Sequence, residues 1–187
     1  MRRIDRVYLA GPQSTLAGAD GLLADQRALC LAAGLTPLTA EASGLVEQDP
    51  SEAMAREIYT HRMGRLREAD AIIANLTPFR GPAADPVTTF EAGFAAGQGK
   101  PLFAYLNVAN EEEVELAVRI ESYEGAEAAD DGLWRDGQGY EIEDFGLPES
   151  LMLWAEARRL YVIVTPQPKT DLTGLQLCLE AIKLYSD

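Results

Sequence analysis

Residues Ala74–Pro101 have the sequence ANLTPFRGPAADPVTTFEAGFAAGQGKP, in which an apolar run, a long loop and a helical segment follow one another. The apolar run stops at Leu76, and a loop rich in proline and glycine leads on to Asp85. Phe90 and Phe94 share one face of the helical segment, which ends at QGKP before the next apolar run. A buried strand followed directly by a helix is the repeating unit of a parallel α/β sheet, so this stretch indicates the fold class.

The same alternation extends along the chain and predicts an α/β fold with a mainly parallel sheet. The five predicted strands are Arg6–Ala10, Leu35–Leu38, Ala71–Leu76, Leu102–Leu106 and Leu160–Val164. The predicted helices are Leu22–Ala33, one from Pro50 to about Ala69, one from Thr88, Glu111–Glu121, Leu147–Ala157 and one from Asp171. At the start of the second helix we expect Asp49 as N-cap, Pro50 as the first helical residue and Glu52 as its N3 partner.

Length and composition predict one domain over residues 1–187, with a long irregular excursion at about 107–146. The apolar runs are too short for a membrane span, and the basic N-terminus lacks a signal-peptide cleavage site. Cys30 and Cys178 each lie in an apolar helical segment, which predicts buried free thiols of a cytoplasmic protein. One histidine and no paired cysteines predict no zinc site.

The formal net charge is −14, from 30 acidic and 16 basic residues. A surface this negative repels polyanions, so a nucleic-acid duplex is a poor partner. Small phosphate-bearing ligands stay possible, because a few local arginines can outweigh the global field.

Asp85 and Glu91 have two interpretations that do not exclude each other. The sequence Thr88-Thr89-Phe90-Glu91 fits a capping box with Thr88 as N-cap and Glu91 at N3, and Asp85-Pro86 fits a turn. A glutamate in the first helical turn is also kept ionised by the helix dipole. Two carboxyls with separated pKa values can divide the roles of nucleophile and acid at a sugar.

Two loops and one arginine are further candidates for a site. Ligands of open α/β sheets bind outside the carboxyl ends of the strands, where AGPQST and TPFRGPAADPVTT follow the first and third strands. These loops face each other if the two strands are neighbours. Arg62 lies on an apolar helical stripe between Ile58 and Leu66, either as a side chain that extends to the surface or as a site residue.

Four segments together resemble the nucleoside 2-deoxyribosyltransferases: VYLAGP, ADAIIANLTPFRG, DPVTTFEAGFAAGQGKP and EDFGLPESLML. The resemblance runs from Val7 to Leu153 and is most specific over Asp70–Pro101. It implies a flavodoxin-like, doubly wound sheet with helices on both faces. It also implies transfer of 2-deoxyribose between nucleobases through a covalent glutamyl–deoxyribose intermediate, with no metal or organic cofactor.

The resemblance also implies roles for individual residues. Glu91 resembles the nucleophile, Asp85 the carboxyl that handles the departing base and its proton, and Tyr8 the strand-one tyrosine that holds the nucleophile. Tyr8 has the alternative of an ordinary core aromatic. Gly11 fits the tight first loop. The family completes its sites with a neighbouring subunit, here through Ser150 and Met152 in ESLML, which implies a homo-oligomer.

Three positions depart from the family pattern. Val87 stands where a glycine is usual, and Arg62 where an asparagine or aspartate contacts base or sugar. Ser150 stands where an asparagine usually meets the 5′-hydroxyl. The catalytic pair is retained while the substrate contacts are altered.

Three functions follow as hypotheses. The first is two-step glycosyl transfer between nucleobases, or hydrolysis if water takes the sugar. The second is an N-hydrolase of nucleoside 5′-monophosphates, in which Ser150, Arg62 or Arg80 contacts the phosphate, although Arg80 is also expected as an exposed loop residue. The third is an inactive module that binds a nucleotide or nucleoside. Partners under all three are small molecules and further copies of the chain, with no nucleic acid polymer and no membrane.

Overall fold

A five-stranded parallel sheet forms the centre of the protein. The computed structural model describes residues 3–39 and 50–186. The strands are β1 (Arg6–Ala10), β2 (Thr36–Thr39), β3 (Ala71–Asn75), β4 (Leu102–Val108), β5 (Ala126–Ala128), β6 (Trp134–Asp136) and β7 (Arg159–Val164). The main sheet has the order β2-β1-β3-β4-β7 with every neighbouring pair parallel, and β5 and β6 form a separate antiparallel hairpin. This order is the flavodoxin-like one, so the predicted fold class is confirmed.

Helices cover both faces of the sheet. They are α1 (Asp20–Ala32), α2 (Glu52–Glu68), α3 (Pro86–Gly97), α4 (Leu116–Glu124), α5 (Leu151–Glu156) and α6 (Thr173–Ser186). Along β1, Val7 packs into the core with residues of α1 and α6, whereas Tyr8 packs into the core with residues of α2 and α3. Successive side chains of β1 therefore point to opposite faces of the sheet, as in any strand that is covered by helices on both sides. None of the helices in residues 3–39 and 50–186 has the length and apolarity of a membrane span.

The predicted caps of α2 and α3 are wrong. Helix α2 is capped by Ser51, whose Oγ accepts a hydrogen bond from the Met54 amide at 3.1 Å. Pro50 is therefore not the first helical residue and Glu52 is not at N3, and Asp49 lies outside the described residues.

Helix α3 is capped by Asp85, because the next residue is a proline. Pro86 has no amide hydrogen and a backbone angle already suited to the first helical position, so the helix begins there. Oδ2 of Asp85 accepts hydrogen bonds from the Thr88 amide at 3.0 Å and from Thr88 Oγ1 at 2.8 Å. Thr88 is therefore not the N-cap, and Glu91 lies beyond the first turn.

The excursion that follows β4 contains more structure than predicted. Asn110 caps a single 3-10 turn at Glu111–Glu113, and α4 begins only at Leu116, so the predicted helix is displaced. The β5–β6 hairpin then follows. Cys30 and Cys178 are buried free thiols, as expected.

Glycine 174, in the first turn of α6, lets the helix approach the sheet closely. A Cβ there would lie 2.5 Å from Cδ2 of Tyr105 in β4. Gly64, in the middle of α2, is the opposite case, because a Cβ there meets nothing within 4 Å. The same open space surrounds Gly93 and Gly97 of α3 within one chain.

We predict that Gly174→Ala lowers the free energy of unfolding by about 1–3 kcal/mol, because the added methyl group overpacks the contact with Tyr105. The matched control Gly64→Ala is expected to raise it by up to about 1 kcal/mol, because alanine is the better helix former. Chemical denaturation of both variants measures the difference. Equal effects of the two substitutions would contradict the close contact.

Candidate functional site

Glu91 and Tyr8 join α3 to the sheet through one buried hydrogen bond. The Tyr8 hydroxyl donates to Oε1 of Glu91 at 2.8 Å, and Tyr8 is fully buried while Glu91 is 1% exposed. A carboxylate on the buried face of an otherwise apolar helix has no structural purpose that an apolar residue would not serve better. The pair is the centre of the candidate site.

Arg62 approaches the same oxygen from α2. Its Nη1 lies 3.7 Å from Oε1 of Glu91, and its side chain is 24% exposed. Within the described ranges, its Nε is buried and has no hydrogen-bond partner. The interpretation of Arg62 as a side chain that extends to the surface is therefore wrong, because the guanidinium turns toward the buried carboxylate.

Opposing effects act on the ionisation of Glu91. Burial raises the pKa of Glu91 above its usual 4.5, while the hydrogen bond from Tyr8 and the charge of Arg62 lower it. The negative charge of Asp85 raises the pKa of Glu91 further, so the two carboxyl groups interact electrostatically. The expectation that the helix dipole keeps Glu91 ionised is wrong, since the residue lies beyond the first turn and burial is the largest effect.

Tyr8 remains a hydrogen-bond donor at all ordinary pH values. Burial and the adjacent negative charge of Glu91 both raise the pKa of the Tyr8 phenol far above its normal 10.0. Tyr8 is thus more than an ordinary core aromatic, because its hydroxyl donates a hydrogen bond to Glu91.

Asp85 combines capping with a position near Glu91. It is 9% exposed, and both of the hydrogen bonds from Thr88 go to Oδ2. The capping interpretation is correct for Asp85, and it leaves Oδ1 as the oxygen that can face a ligand.

The loops after β1 and β3 face each other, as expected if these strands are neighbours. A Cβ on Gly11 would lie 2.9 Å from Cβ of Asn75, at the end of β3, and 2.1 Å from Oε1 of Gln13. No side chain fits at position 11. Oδ1 of Asn75 accepts from the Thr77 amide at 3.0 Å and from Thr77 Oγ1 at 2.6 Å, which fixes the start of the second loop.

Arg80 lies away from the buried carboxylate. It is exposed, has a positive φ of 53°, and its guanidinium lies 4.7 Å from the ring centroid of Phe79. It lines a cavity of about 340 Å³ together with Gln13, Asn75 and Lys169. Among the described residues, no hydrogen bond or ion pair joins Arg80 to Glu91.

Ser150 and Met152 also lie away from Glu91 within one chain. They line a groove of about 510 Å³ on the far side of α3, with Thr89 and Gly93. Met152 is 73% exposed. The structure of one chain therefore brings Tyr8, Arg62, Asp85 and Glu91 together and leaves the α5 residues outside.

Sequence reasoning missed Asn75, Arg119 and Glu149, all of which are buried polar residues near this end of the sheet or its loops. Asn75 had a signal, since a polar residue ends an otherwise apolar strand. Arg119 and Glu149 lie among many charged residues, and no sequence signal distinguished them. In the described part of the chain, no group of three or more histidine, cysteine, aspartate or glutamate residues could hold a metal ion.

Comparison with known proteins identifies the family. The family model for nucleoside 2-deoxyribosyltransferases matches residues 7–152. The chain belongs to this family. It is therefore an enzyme of the deoxyribosyltransferase-like kind. Among curated proteins, none matches the sequence.

The chain is also similar to several solved structures, one of which is a 2-deoxyribosyltransferase. A 2-deoxyribosyltransferase from Leishmania mexicana is 29% identical, with a TM-score of 0.57, covering 80% of this chain and 85% of its own. A conserved protein from Enterococcus faecalis V583 shares the fold at 16% identity and a TM-score of 0.50, covering 97% and 99% of the two chains. A CMP N-glycosidase from Clostridium botulinum aligns over the same shares of the two chains at 15% identity, with a TM-score of 0.43.

For this family member we predict that Glu91→Gln becomes more stable relative to wild type as the pH rises. The raised pKa of Glu91 means that the folded protein holds the proton more tightly than the unfolded chain does. Wild-type stability from this group is therefore complete below pH 4.5 and is lost as the pH rises through the raised value. Denaturation from about pH 4 to neutrality measures this trend.

The control for this experiment is Glu57→Gln, which removes one exposed carboxylate of α2 and corrects for the change in net charge. A Glu91→Gln advantage that shrinks as the pH rises would contradict the burial effect.

We also predict that Tyr8→Phe raises the pKa of Glu91, because the hydrogen bond that lowers it is lost. Carbon-13 NMR titration of the side-chain carboxyls, assigned with Glu91→Gln, reads this directly. Tyr105→Phe is the matched control, since it deletes another buried tyrosine hydroxyl, one that accepts a hydrogen bond from Gln13 in the opposite core. An unchanged titration in Tyr8→Phe, or an equal change in both variants, would contradict the role of Tyr8.

Proposed function

We propose that the protein transfers 2-deoxyribose between nucleobases through a covalent intermediate on Glu91. The observation that supports this most is the fixed geometry of a buried carboxylate, in which Tyr8 and Arg62 both contact Oε1. The other oxygen, Oε2, is then the one that reaches the sugar.

The reaction has two displacements at the anomeric carbon. In the first, Oε2 of Glu91 forms a bond to that carbon while the glycosidic C–N bond breaks, and its electron pair leaves with the base. A proton from Asp85 neutralises the departing base. In the second, a nitrogen of another base attacks the same carbon, the ester bond breaks, and the electron pair returns to Glu91. The incoming base gives its proton back to Asp85, and two inversions give overall retention.

Tyr8 and Arg62 hold the nucleophile for this sequence. Burial alone would favour the protonated, non-nucleophilic form of Glu91, and both neighbours act against that by lowering its pKa. Tyr8 also fixes the carboxylate plane, because its ring is buried and its hydroxyl donates along one direction. Gly11 supports this edge of the site by allowing the first loop to lie directly against Asn75.

The charge of the site favours neutral nucleosides over nucleoside 5′-monophosphates. With Asp85 protonated for its role as the acid, the charges of Glu91 and Arg62 cancel, so the site offers no net positive charge to an added phosphate group. Arg80 lines a cavity with Gln13 and Asn75 and forms no ion pair with Glu91 among the described residues. The nucleotide hydrolase is therefore the second candidate, supported only by the orphaned Nε of Arg62, which a phosphate oxygen could accept from.

Ser150 and Met152 fit this proposal as residues that one copy offers to the site of a neighbour. In their own chain they lie on the far side of α3, and Met152 is largely exposed. A homo-oligomer with shared sites would bring them to the sugar and base. The partners are then nucleosides, free bases and further copies of the chain, and the compartment is proposed to be the cytoplasm.

The deciding experiment incubates the wild-type protein with thymidine and adenine and follows the products by chromatography. Deoxyadenosine is the expected product. Release of thymine and free deoxyribose would show hydrolysis instead, and turnover of deoxynucleoside monophosphates with no turnover of thymidine would support the second candidate. No turnover of any of these, with binding intact, would contradict the enzymatic proposal in favour of a binding module.

Two variants separate catalysis from stability. Glu91→Gln is expected to abolish turnover and the covalent adduct detected by intact-protein mass spectrometry, while remaining folded. Asp85→Asn is expected to lower turnover by about 10²–10⁴-fold, because general acid catalysis is lost. Asparagine caps helices about as well as aspartate, so α3 stays capped in this variant. Full activity of Asp85→Asn would assign proton transfer to another group.

A further inference from the structure

Arg119 is a buried cation that joins three separate segments of the chain. It lies in α4 and its side chain is 4% exposed. Nε donates to the carbonyl of Pro82 at 2.8 Å, and Nη2 to the carbonyl of Pro148 at 2.6 Å. Nη1 donates to the carbonyls of Glu113 at 2.7 Å and Val114 at 3.0 Å. The planar guanidinium thus ties the β3–α3 loop to the excursion and to the segment before α5.

Glu149 completes this arrangement from the opposite side. Its side chain is 2% exposed, and Oε2 lies 4.0 Å from Nη2 of Arg119. Oε2 also accepts from the Ala84 amide at 3.3 Å, and Oε1 accepts from the Ser150 amide at 2.8 Å. The carboxylate therefore contacts the residue before Asp85 and the residue at the start of α5.

The two contacts to the β3–α3 loop lie directly before the candidate acid. Pro82 and Ala84 are held by Arg119 and Glu149, and Asp85 follows at once as the N-cap of α3. The cap fixes Oδ2 of Asp85 relative to the helix, and the contacts at Pro82 and Ala84 fix the backbone that enters it. Together, the cap and these two contacts hold the carboxyl group of Asp85 in one orientation.

We propose that Arg119 and Glu149 are positioning residues that set Asp85 for proton transfer to the departing base. This rests on the proposed function, in which Asp85 is the acid. The ion pair touches neither Glu91 nor Tyr8, so it acts on the leaving-group side of the reaction and not on the nucleophile. An apolar pair of the same size would fill the space equally well, but it would leave the Ala84 amide without its acceptor.

The test compares two substrates that differ in their need for a proton. Thymidine needs protonation of its departing base, whereas 4-nitrophenyl 2-deoxyriboside releases a stable anion that does not. Arg119→Lys keeps the charge but not the planar fork, and is expected to lower kcat for thymidine about 10- to 100-fold. Turnover of the nitrophenyl substrate should stay within a factor of about two of wild type. In Glu149→Gln, the side-chain NH2 group faces the backbone amide of either Ala84 or Ser150, so one of these two donors loses its acceptor. This variant should show the same pattern.

The matched control is Lys100→Met. Lys100 is also a buried cation, and it donates to the carbonyls of Arg67 and Ala69 at the opposite end of the sheet from Asp85. It is expected to lower stability without separating the two substrates. Equal losses on both substrates in Arg119→Lys and Glu149→Gln, or no loss on either, would overturn the positioning role.

A second measurement distinguishes failure of this inference from failure of the proposed function. If wild type turns over neither substrate, the proposed function is wrong, and hydrogen exchange then tests the contacts alone. Arg119→Lys is expected to speed amide exchange over residues 82–88 and 148–152 by tenfold or more, while Lys100→Met does not. Unchanged exchange in these segments would overturn the inference, whatever the activity.

Discussion

The hydrogen bond from Tyr8 to Glu91 is the interaction on which the rest of the site depends. It crosses from β1, an inner strand of the sheet, to α3, and both of its partners are buried. Because β1 lies between β2 and β3, and α3 packs against β3 and β1, the register of these elements fixes the distance between phenol and carboxylate. The fold therefore holds the carboxylate in place before any ligand arrives.

This arrangement requires the protein to balance two opposing demands. Burial makes the carboxylate precise but favours its neutral form, and a neutral carboxyl group is a poor nucleophile. A neutral donor and a partly exposed cation, Tyr8 and Arg62, reduce that effect without an additional buried charge. Under the proposed function, such a site lowers stability in exchange for reactivity, as preorganised sites commonly do.

Much of the fold could be predicted from the sequence, and the site only in part. All five strands of the main sheet were expected within two residues of their observed bounds, because buried parallel strands are continuous apolar runs. The caps were wrong, since Asp85 and Thr88 are both good N-cap residues and only the proline between them decides where α3 begins. Asp85 and Glu91 were candidates from their place in the sequence and Tyr8 from a resemblance, whereas the contact of Arg62 with Glu91 depends on how α2 packs on α3. Arg119 and Glu149 were not found because their contacts join residues up to 65 positions apart.

The double use of Asp85 has a consequence for interpreting the sequences of relatives. A descendant of this protein that lost its chemistry would still keep a capping residue such as aspartate or asparagine at this position, because the helix needs its cap. Glu91 caps no helix, and burial of its ionised form destabilises the folded state at neutral pH. Under the proposed function, retention of Glu91 is thus diagnostic of a working enzyme, while retention of Asp85 alone says only that the helix still starts in the same place.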